Sequence, residues 1–271
     1  MSTTLAALLA ASGLPALEAQ VLAAHALGLS RARLLADSQR ALDAETVRGI
    51  ERLFLRRRAG EPVAYLTGER EFHGLSLQVT PDVLIPRPET ELLVELALER
   101  LPNRAGRVLD LGTGSGAIAV AIAHVAPDAE VVAVDASGAA LAVARENARR
   151  HGAAIRFVEG EWFAGVGRER FDVVVSNPPY IPSGDIATLQ PEVASFEPRL
   201  ALDGGSDGLD AYRRLGPATV RLLAPGGLAA FEIGLGQGDS VRGIMAAAGL
   251  RHIATAPDLA AVERCVLFRK S

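Results

Sequence analysis

Seven short apolar runs recur between residues 107 and 269, and helical stretches separate most of them. They cover residues 107–111, 130–134, 155–158, 171–176, 228–233, 252–256 and 265–269. Strands that alternate with helices cannot pair as simple hairpins. They form a mostly parallel sheet covered by helices on both faces. The pattern begins after Pro86, where Pro88 stands at a first helical position followed by Glu89, Thr90 and Glu91. The 271 residues suffice for one large domain or a large and a small one. With 49% apolar residues the chain can build a core, and disorder is not expected.

Residues 1–70 have a different texture, with short helical patterns only. Leu14, Leu17 and Val21 share a face at helical spacing. Ser30 can cap a helix carrying Leu34 and Leu35, and Asp43 one carrying Val47, Ile50 and Phe54. Arg56, Arg57 and Arg58 end that last helix and complement its dipole, as a solvated helix end or a partner contact. This predicts a small helical bundle over 1–70. Leu75, Leu77 and Val79 alternate with polar residues, which predicts one arm of a β-hairpin linking over 71–85. His73 beside Gly74 reads as a structural residue of that hairpin. The α/β domain then covers 86–271.

Bulk properties exclude some classes. A net charge of -4 argues against broad nonspecific nucleic-acid binding, though a local basic patch stays open. Lone Cys265 excludes an internal disulfide framework and a multi-cysteine zinc site. Met1-Ser2-Thr3-Thr4-Leu5 lacks the positive flank of a signal peptide. No apolar run approaches the ~18 residues of a membrane span, so a cytoplasmic protein without membrane partners is expected.

The first run of the α/β region enters a glycine loop, Asp110-Leu111-Gly112-Thr113-Gly114-Ser115-Gly116, and Ala117 opens a helix. The glycines allow a tight turn and a close ligand approach. Gly112-x-Gly114-x-x-Ala117 also fits a dinucleotide loop, a weak signal alone. Asp110 tilts the choice, because a carboxylate repels a pyrophosphate and attracts a cation. S-adenosyl-L-methionine, with its sulfonium and ammonium and no phosphate, is the favoured ligand over a nicotinamide dinucleotide. Asp135 ends the next strand, near the spacing at which an acid meets a ribose diol. Ser137 is available to cap the following helix in its place. Trp162, the only tryptophan, follows the third strand, where it can stack on an adenine or fill the core under a loop.

Asn177-Pro178-Pro179-Tyr180 ends the run at 171–176. Such a turn can hold a planar nitrogen. The Asn side-chain oxygen and the Pro178 carbonyl each accept an N–H, and the Tyr ring offers a face or edge. A nitrogen held this way can be presented to an electrophilic methyl group. Positioning and charge-assisted hydrogen bonds supply the catalysis, and no Glu, Asp or His is assigned as a base. No metal is needed.

Asp110 to Gly116, Asp135, Trp162 and Asn177 to Tyr180 together resemble the class I S-adenosylmethionine-dependent methyltransferases with an Asn-Pro-Pro-Tyr motif. Three further segments narrow the resemblance: residues 61–68 followed by Phe72-His73-Gly74, residues 84–91, and residues 197–202 with Gly204, Gly205, Asp207 and Gly208. They are similar to the bacterial release-factor glutamine N5-methyltransferases over about residues 14–268. The resemblance implies a five-helix N-terminal domain for substrate recognition and a hairpin link. It implies a Rossmann-like seven-stranded domain whose last strand is antiparallel. It also implies that the glycine loop, Asp135, Trp162 and Asn177 meet the cofactor or the methyl path. Asn177, Pro178, Pro179 and Tyr180 would hold a glutamine in the Gly-Gly-Gln loop of release factors. Arg87 and Glu89 would lie near the site's mouth. From its position alone, Glu232 ends a strand beside Gly234 and is expected to line the pocket. The alternatives are adenine-N6 methylation of DNA or RNA, glutamine methylation of a ribosomal protein, and a silent binding module.

Overall fold

The computed structural model describes residues 3–101 and 104–270. The chain divides into two compact units. The first runs to Glu69 and also takes in Gln190–Phe196; the second holds the remainder.

The first unit contains β1 (Thr3–Thr4), α1 (Leu5–Ala10), α2 (Ala16–Leu27), α3 (Arg31–Ala36), β2 (Ala41–Leu42), α4 (Ala44–Arg58) and α5 (Val63–Thr67). Ser30 and Asp43 cap α3 and α4, and Ile50 and Phe54 enter the core. The expected α2 face is corrected: Leu17 is exposed, and Ala19, Leu22 and Ala23 are buried instead. Pro15 starts the helix, so Leu14 lies outside it and the helical face rotates. Leu35 is likewise exposed while Leu34 is buried. The three arginines are not merely a solvated helix end. Arg57 pairs with Glu18 and Glu192 at 2.6 Å each, Arg56 with Glu61, and Arg58 donates to the Ser12 carbonyl.

From the end of the first unit at Glu69 the chain forms the hairpin of β3 (Glu69–Phe72) and β4 (Leu75–Gln78), which the second unit holds from Arg70 onward. His73 turns it at a positive φ of 50° and is held by Glu91 and Glu95, a structural role. A 3-10 turn at Pro88–Thr90 leads into α6 (Glu91–Arg100). Then come β5 (Gly106–Leu111), α7 (Ala117–Val125), β6 (Ala129–Asp135), α8 (Gly138–Arg150), β7 (Ile155–Glu159) and β8 (Phe171–Ser176). α9 (Pro191–Phe196) belongs to the first unit. α10 (Asp210–Leu222), β9 (Leu223–Glu232), α11 (Gly238–Ala247), β10 (Leu250–Pro257) and β11 (Glu263–Lys270) complete the chain.

The seven strands form one sheet in the order β10-β11-β9-β8-β5-β6-β7. β11 runs antiparallel to both of its neighbours, and the pairs from β9 to β7 are parallel. Successive residues of a strand point to opposite faces. Val108, Val173 and Val175 therefore feed one core under α6 and α7, while Leu109, Leu111 and Val174 feed the other under α10 and α11. Burial on both faces explains why these strands read as continuous apolar runs rather than alternating ones.

Candidate active site

β5 and β8 are adjacent parallel strands with Leu111 opposite Ser176. From β5 the chain moves outward through β6 to β7, then returns to β8 on β5's other side. A reversal of this kind opens a crevice at the carboxyl ends of the strands. Gly112 and Asn177, the next residues of each strand, leave the sheet side by side there. The Ser176 hydroxyl donates to the Leu111 carbonyl at 2.6 Å and pins the two ends together.

A cavity of about 960 Å³ occupies this crevice. Its wall includes Gly112, Thr113, Gly114, Ser115, Asp135, Trp162, Asn177 and Pro179. The loop and the Asn-Pro-Pro-Tyr turn, 65 positions apart between Leu111 and Ser176, thus face one space. Asp110, Gly116, Pro178 and Tyr180 are not part of that wall.

The loop's shape follows from its glycines. Gly112, Gly114 and Gly116 all have positive φ, which L side chains rarely adopt. At Gly116 a Cβ would also come within 3.0 Å of the Ala144 Cβ, where α7 packs on α8. Asp135 braces the loop: its Oδ2 accepts from the Gly114 N–H at 2.8 Å and its Oδ1 from the Ser137 N–H at 2.9 Å. Ser137 itself caps α8 by accepting from the Ala140 N–H, so Asp135 is not spent as a cap. Trp162 has a positive φ of 53° and does two jobs. It lines the cavity, and it packs on the core beneath.

Asp110 lies fully buried beneath the loop. Its Oδ2 accepts from the Thr113 hydroxyl at 2.6 Å, and its Oδ1 has no hydrogen-bond partner among the described residues. Burial pushes its carboxyl up to about 7; the charge of Asp135 adds to the shift and the Thr113 hydrogen bond opposes it. An orphaned buried acid beside a second acid favours a cationic ligand and disfavours a pyrophosphate. The chemistry of this donor set fits S-adenosyl-L-methionine.

At the neighbouring strand end, the Asn177 amide nitrogen donates to the Thr90 hydroxyl at 3.1 Å. Thr90 also lines the cavity and donates in turn to Glu232 Oε2 at 2.7 Å. Asn177 Oδ1 takes no hydrogen bond from the described residues. The Tyr180 hydroxyl turns inward toward Glu232 Oε1 at 3.4 Å, and burial pushes its pKa up. The Tyr180 carbonyl accepts from the Gln237 amide at 2.9 Å. Arg87 lines the cavity and pairs at 2.5 Å with buried Glu197, whereas Glu89 is exposed outside the wall. Glu232 does not line the pocket as expected. It is 1% exposed and reaches the cavity only through Thr90, a connection between residues 142 positions apart that no local motif signals.

Two family models match the chain: a methyltransferase small domain over residues 89–193 and a PrmC N-terminal domain over residues 3–68. The chain is 50% identical to a release factor glutamine methyltransferase of Bordetella pertussis, over 97% of each chain. It is 48% identical to one of Geobacter sulfurreducens, over 92% of this chain and 88% of the relative. Among solved structures, a methyltransferase from Pyrococcus furiosus aligns with a TM-score of 0.56 at 20% identity, over 80% of this chain and 96% of that one. A T. thermophilus 16S rRNA N2 G1207 methyltransferase bound to AdoMet and guanosine aligns at 0.54 and 19% identity, over 75% and 50%. At these identities the two structures show the class I methyltransferase fold alone.

Proposed function

The chain belongs to the release factor glutamine methyltransferase family, and on that premise we propose that it transfers the methyl group of S-adenosyl-L-methionine to the N5 amide nitrogen of the glutamine in the Gly-Gly-Gln motif of peptide-chain release factors. The observation that carries this reading is the shared cavity. The glycine loop, Asp135 and Trp162 line it, and so does Asn177, whose side-chain oxygen is uncommitted among the described residues.

S-adenosyl-L-methionine supplies an electrophilic sulfonium methyl when bound. Asp135 and the loop backbone would hold its ribose and amino-acid end, Trp162 its adenine, and Asp110 would oppose its positive charge. The glutamine amide nitrogen is a poor nucleophile, because its lone pair is shared with the carbonyl. Asn177 Oδ1 accepts one of its N–H groups and the Pro178 carbonyl the other. These two bonds aim the nitrogen and strengthen as positive charge grows on it. Tyr180 closes the turn behind them through its hydroxyl and its carbonyl. Positioning of this kind lowers the barrier without a strong base.

Residues 1–70 are assigned to substrate recognition, 71–85 to the link and 86–271 to methyl transfer. The match of residues 3–68 to a family-specific N-terminal domain supports the first of these. The reading implies a cytoplasmic enzyme, because its substrate belongs to translation.

The test is methyl transfer from labelled S-adenosyl-L-methionine to three acceptors: purified release factor, its Gly-Gly-Gln variant with Gln replaced by Ala, and duplex DNA. Label is expected in the intact release factor alone. Label in DNA but not in release factor overturns the reading.

A further inference from the structure

Asn177 can hold a substrate N–H only if its oxygen, not its nitrogen, faces the cavity. The two ends of a side-chain amide are nearly the same shape, so shape alone does not choose between them. A hydrogen-bond partner with one fixed polarity does choose. Thr90 and Glu232 form such a partner.

Glu232 sits at the end of β9, 1% exposed. As a carboxylate it only accepts hydrogen bonds. The Thr90 hydroxyl has one proton and commits it to Glu232 Oε2 at 2.7 Å. Its oxygen then has only lone pairs left, and one receives the Asn177 Nδ2 at 3.1 Å. In the flipped amide, Asn177 Oδ1 would face an oxygen that has no proton to give. Two acceptors would then meet in a half-buried site, and the Asn177 nitrogen would point at the substrate nitrogen. Both errors disfavour the flip.

Resting on the reading that Asn177 holds the substrate amide, we infer that Thr90 and Glu232 are positioning residues for methyl transfer, forming a one-way hydrogen-bond relay that turns the Asn177 oxygen toward the substrate nitrogen. Neither residue needs to touch the reacting atoms. Thr90 reaches Asn177 across 87 positions of chain and Glu232 across 142, so the relay exists only in the folded protein.

The rest of the Glu232 environment keeps it in place. The Tyr212 hydroxyl donates to the Glu232 carbonyl at 2.8 Å, and the Tyr180 hydroxyl approaches Oε1 at 3.4 Å. Burial pushes the Glu232 carboxyl up to about 7; the Thr90 hydrogen bond, Arg264 and Tyr180 hold it down, and Glu89 pushes it up. Buried Cys265, opposite Glu232 in the β9–β11 pair, also feels its charge. A protonated Glu232 can donate to Thr90, and the relay then loses its fixed direction.

The experiment compares purified full-length variants by methyl transfer to release factor at saturating cofactor and by calorimetric binding of S-adenosyl-L-methionine. Thr90→Val keeps the shape and removes the hydroxyl. Its kcat is expected to fall at least about 10-fold, with cofactor Kd within about twofold of wild type. Thr90→Ser restores the hydroxyl and should recover most of that loss. Glu232→Leu should lower kcat as Thr90→Val does, again with cofactor binding retained as proof of folding. Added to Asn177→Ala, Thr90→Val should cost less than about twofold more, because the two act through one group. Wild-type kcat in Thr90→Val, alongside lost turnover in Asn177→Ala, overturns the relay and leaves the Asn177 reading standing. A tenfold weaker cofactor Kd in Thr90→Val also overturns it, by making Thr90 part of the cofactor wall. Wild-type turnover in Asn177→Ala removes the premise itself.

Discussion

The cofactor cradle and the nitrogen clamp line the same cavity but are assembled over different distances along the chain. The cradle is local. Asp110 to Gly116 are consecutive, Thr113 reaches Asp110 three residues away, and Asp135 braces Gly114 from 21 residues away. The clamp starts from a local turn, Asn177 to Tyr180, but its backing comes from Thr90 and Glu232 on distant elements. The two halves also treat their acids differently. The cradle leaves Asp110 Oδ1 without a hydrogen-bond partner among the described residues. The clamp gives Glu232 the Thr90 hydroxyl at 2.7 Å, and in the proposed relay that bond orients a neutral amide. On the proposed reading, one buried acid lies under the cofactor site and the other sets the direction of the amide that holds the substrate nitrogen.

If the halves divide the work this way, binding and turnover should separate under mutation. The largest effect is expected in the clamp. Asn177→Ala should lower kcat by about 10²–10³-fold, on the order of 3 kcal/mol, the scale for one group aimed at developing charge. Calorimetry should find its cofactor Kd little changed. Asp135→Ala should do the reverse, with cofactor Kd weaker by about 10–100-fold, on the order of 2 kcal/mol for hydrogen bonds to a charged group. Its kcat at saturating cofactor should stay within a few-fold of wild type. A fall in kcat without a change in Kd for Asp135→Ala would erase the division.

The pH dependence sharpens it further. The relay requires ionised Glu232, whose carboxyl titrates at about 7. At saturating cofactor, kcat should therefore rise with pH through about 7 and level off above it, with a lower plateau at acid pH close to the Thr90→Val rate. The same profile measured on Thr90→Val should lack that limb, because no relay is left to titrate. An unchanged limb in the variant assigns the titration to another group.

A further effect is on stability and belongs to the cradle. The folded-state carboxyl of Asp110 titrates at about 7 against 3.8 when free. The folded protein therefore holds this proton more tightly than the unfolded chain does. The stability contributed by protonated Asp110 is full below about 3.8 and is lost as pH rises through about 7. Asp110→Asn removes that loss. The cofactor-free variant should melt higher than wild type above pH 7, by an increment that shrinks as pH falls toward 3.8. Its cofactor affinity should fall at the same time. A lower melting temperature above pH 7 would mean that Asp110 is not held at a cost.

Legibility in the sequence followed the same division. The strands at 107–111 and 171–176, the positive-φ glycines, the Ser30, Asp43 and Ser137 caps and the strand-end position of Asp135 all depend on neighbours within a few residues. A local pattern therefore carries them. The α2 face departs from the apolar pattern because Leu14 and Leu17 lie at or before the helix start, where Pro15 shifts the turn. The arginines at 56–58 looked like a solvated end, since nothing nearby announces that Glu18 and Glu192 will meet Arg57. Glu232 was misplaced for the same reason: a strand-end acid beside a glycine looks like a pocket residue until the sheet buries it.

Alone, the amino-acid order determined the elements, the strand ends and the chemical types available there: a glycine loop beside an acid, and an amide turn at a second strand. Only the tertiary structure decided that these two strand ends are neighbours, that Asp110 lies under its loop, and that Thr90 and Glu232 stand behind Asn177. The physical reason is range. Backbone preference and hydrophobic period act over a few residues, whereas the direction of a buried hydrogen bond is set by groups that meet only when the sheet closes around them.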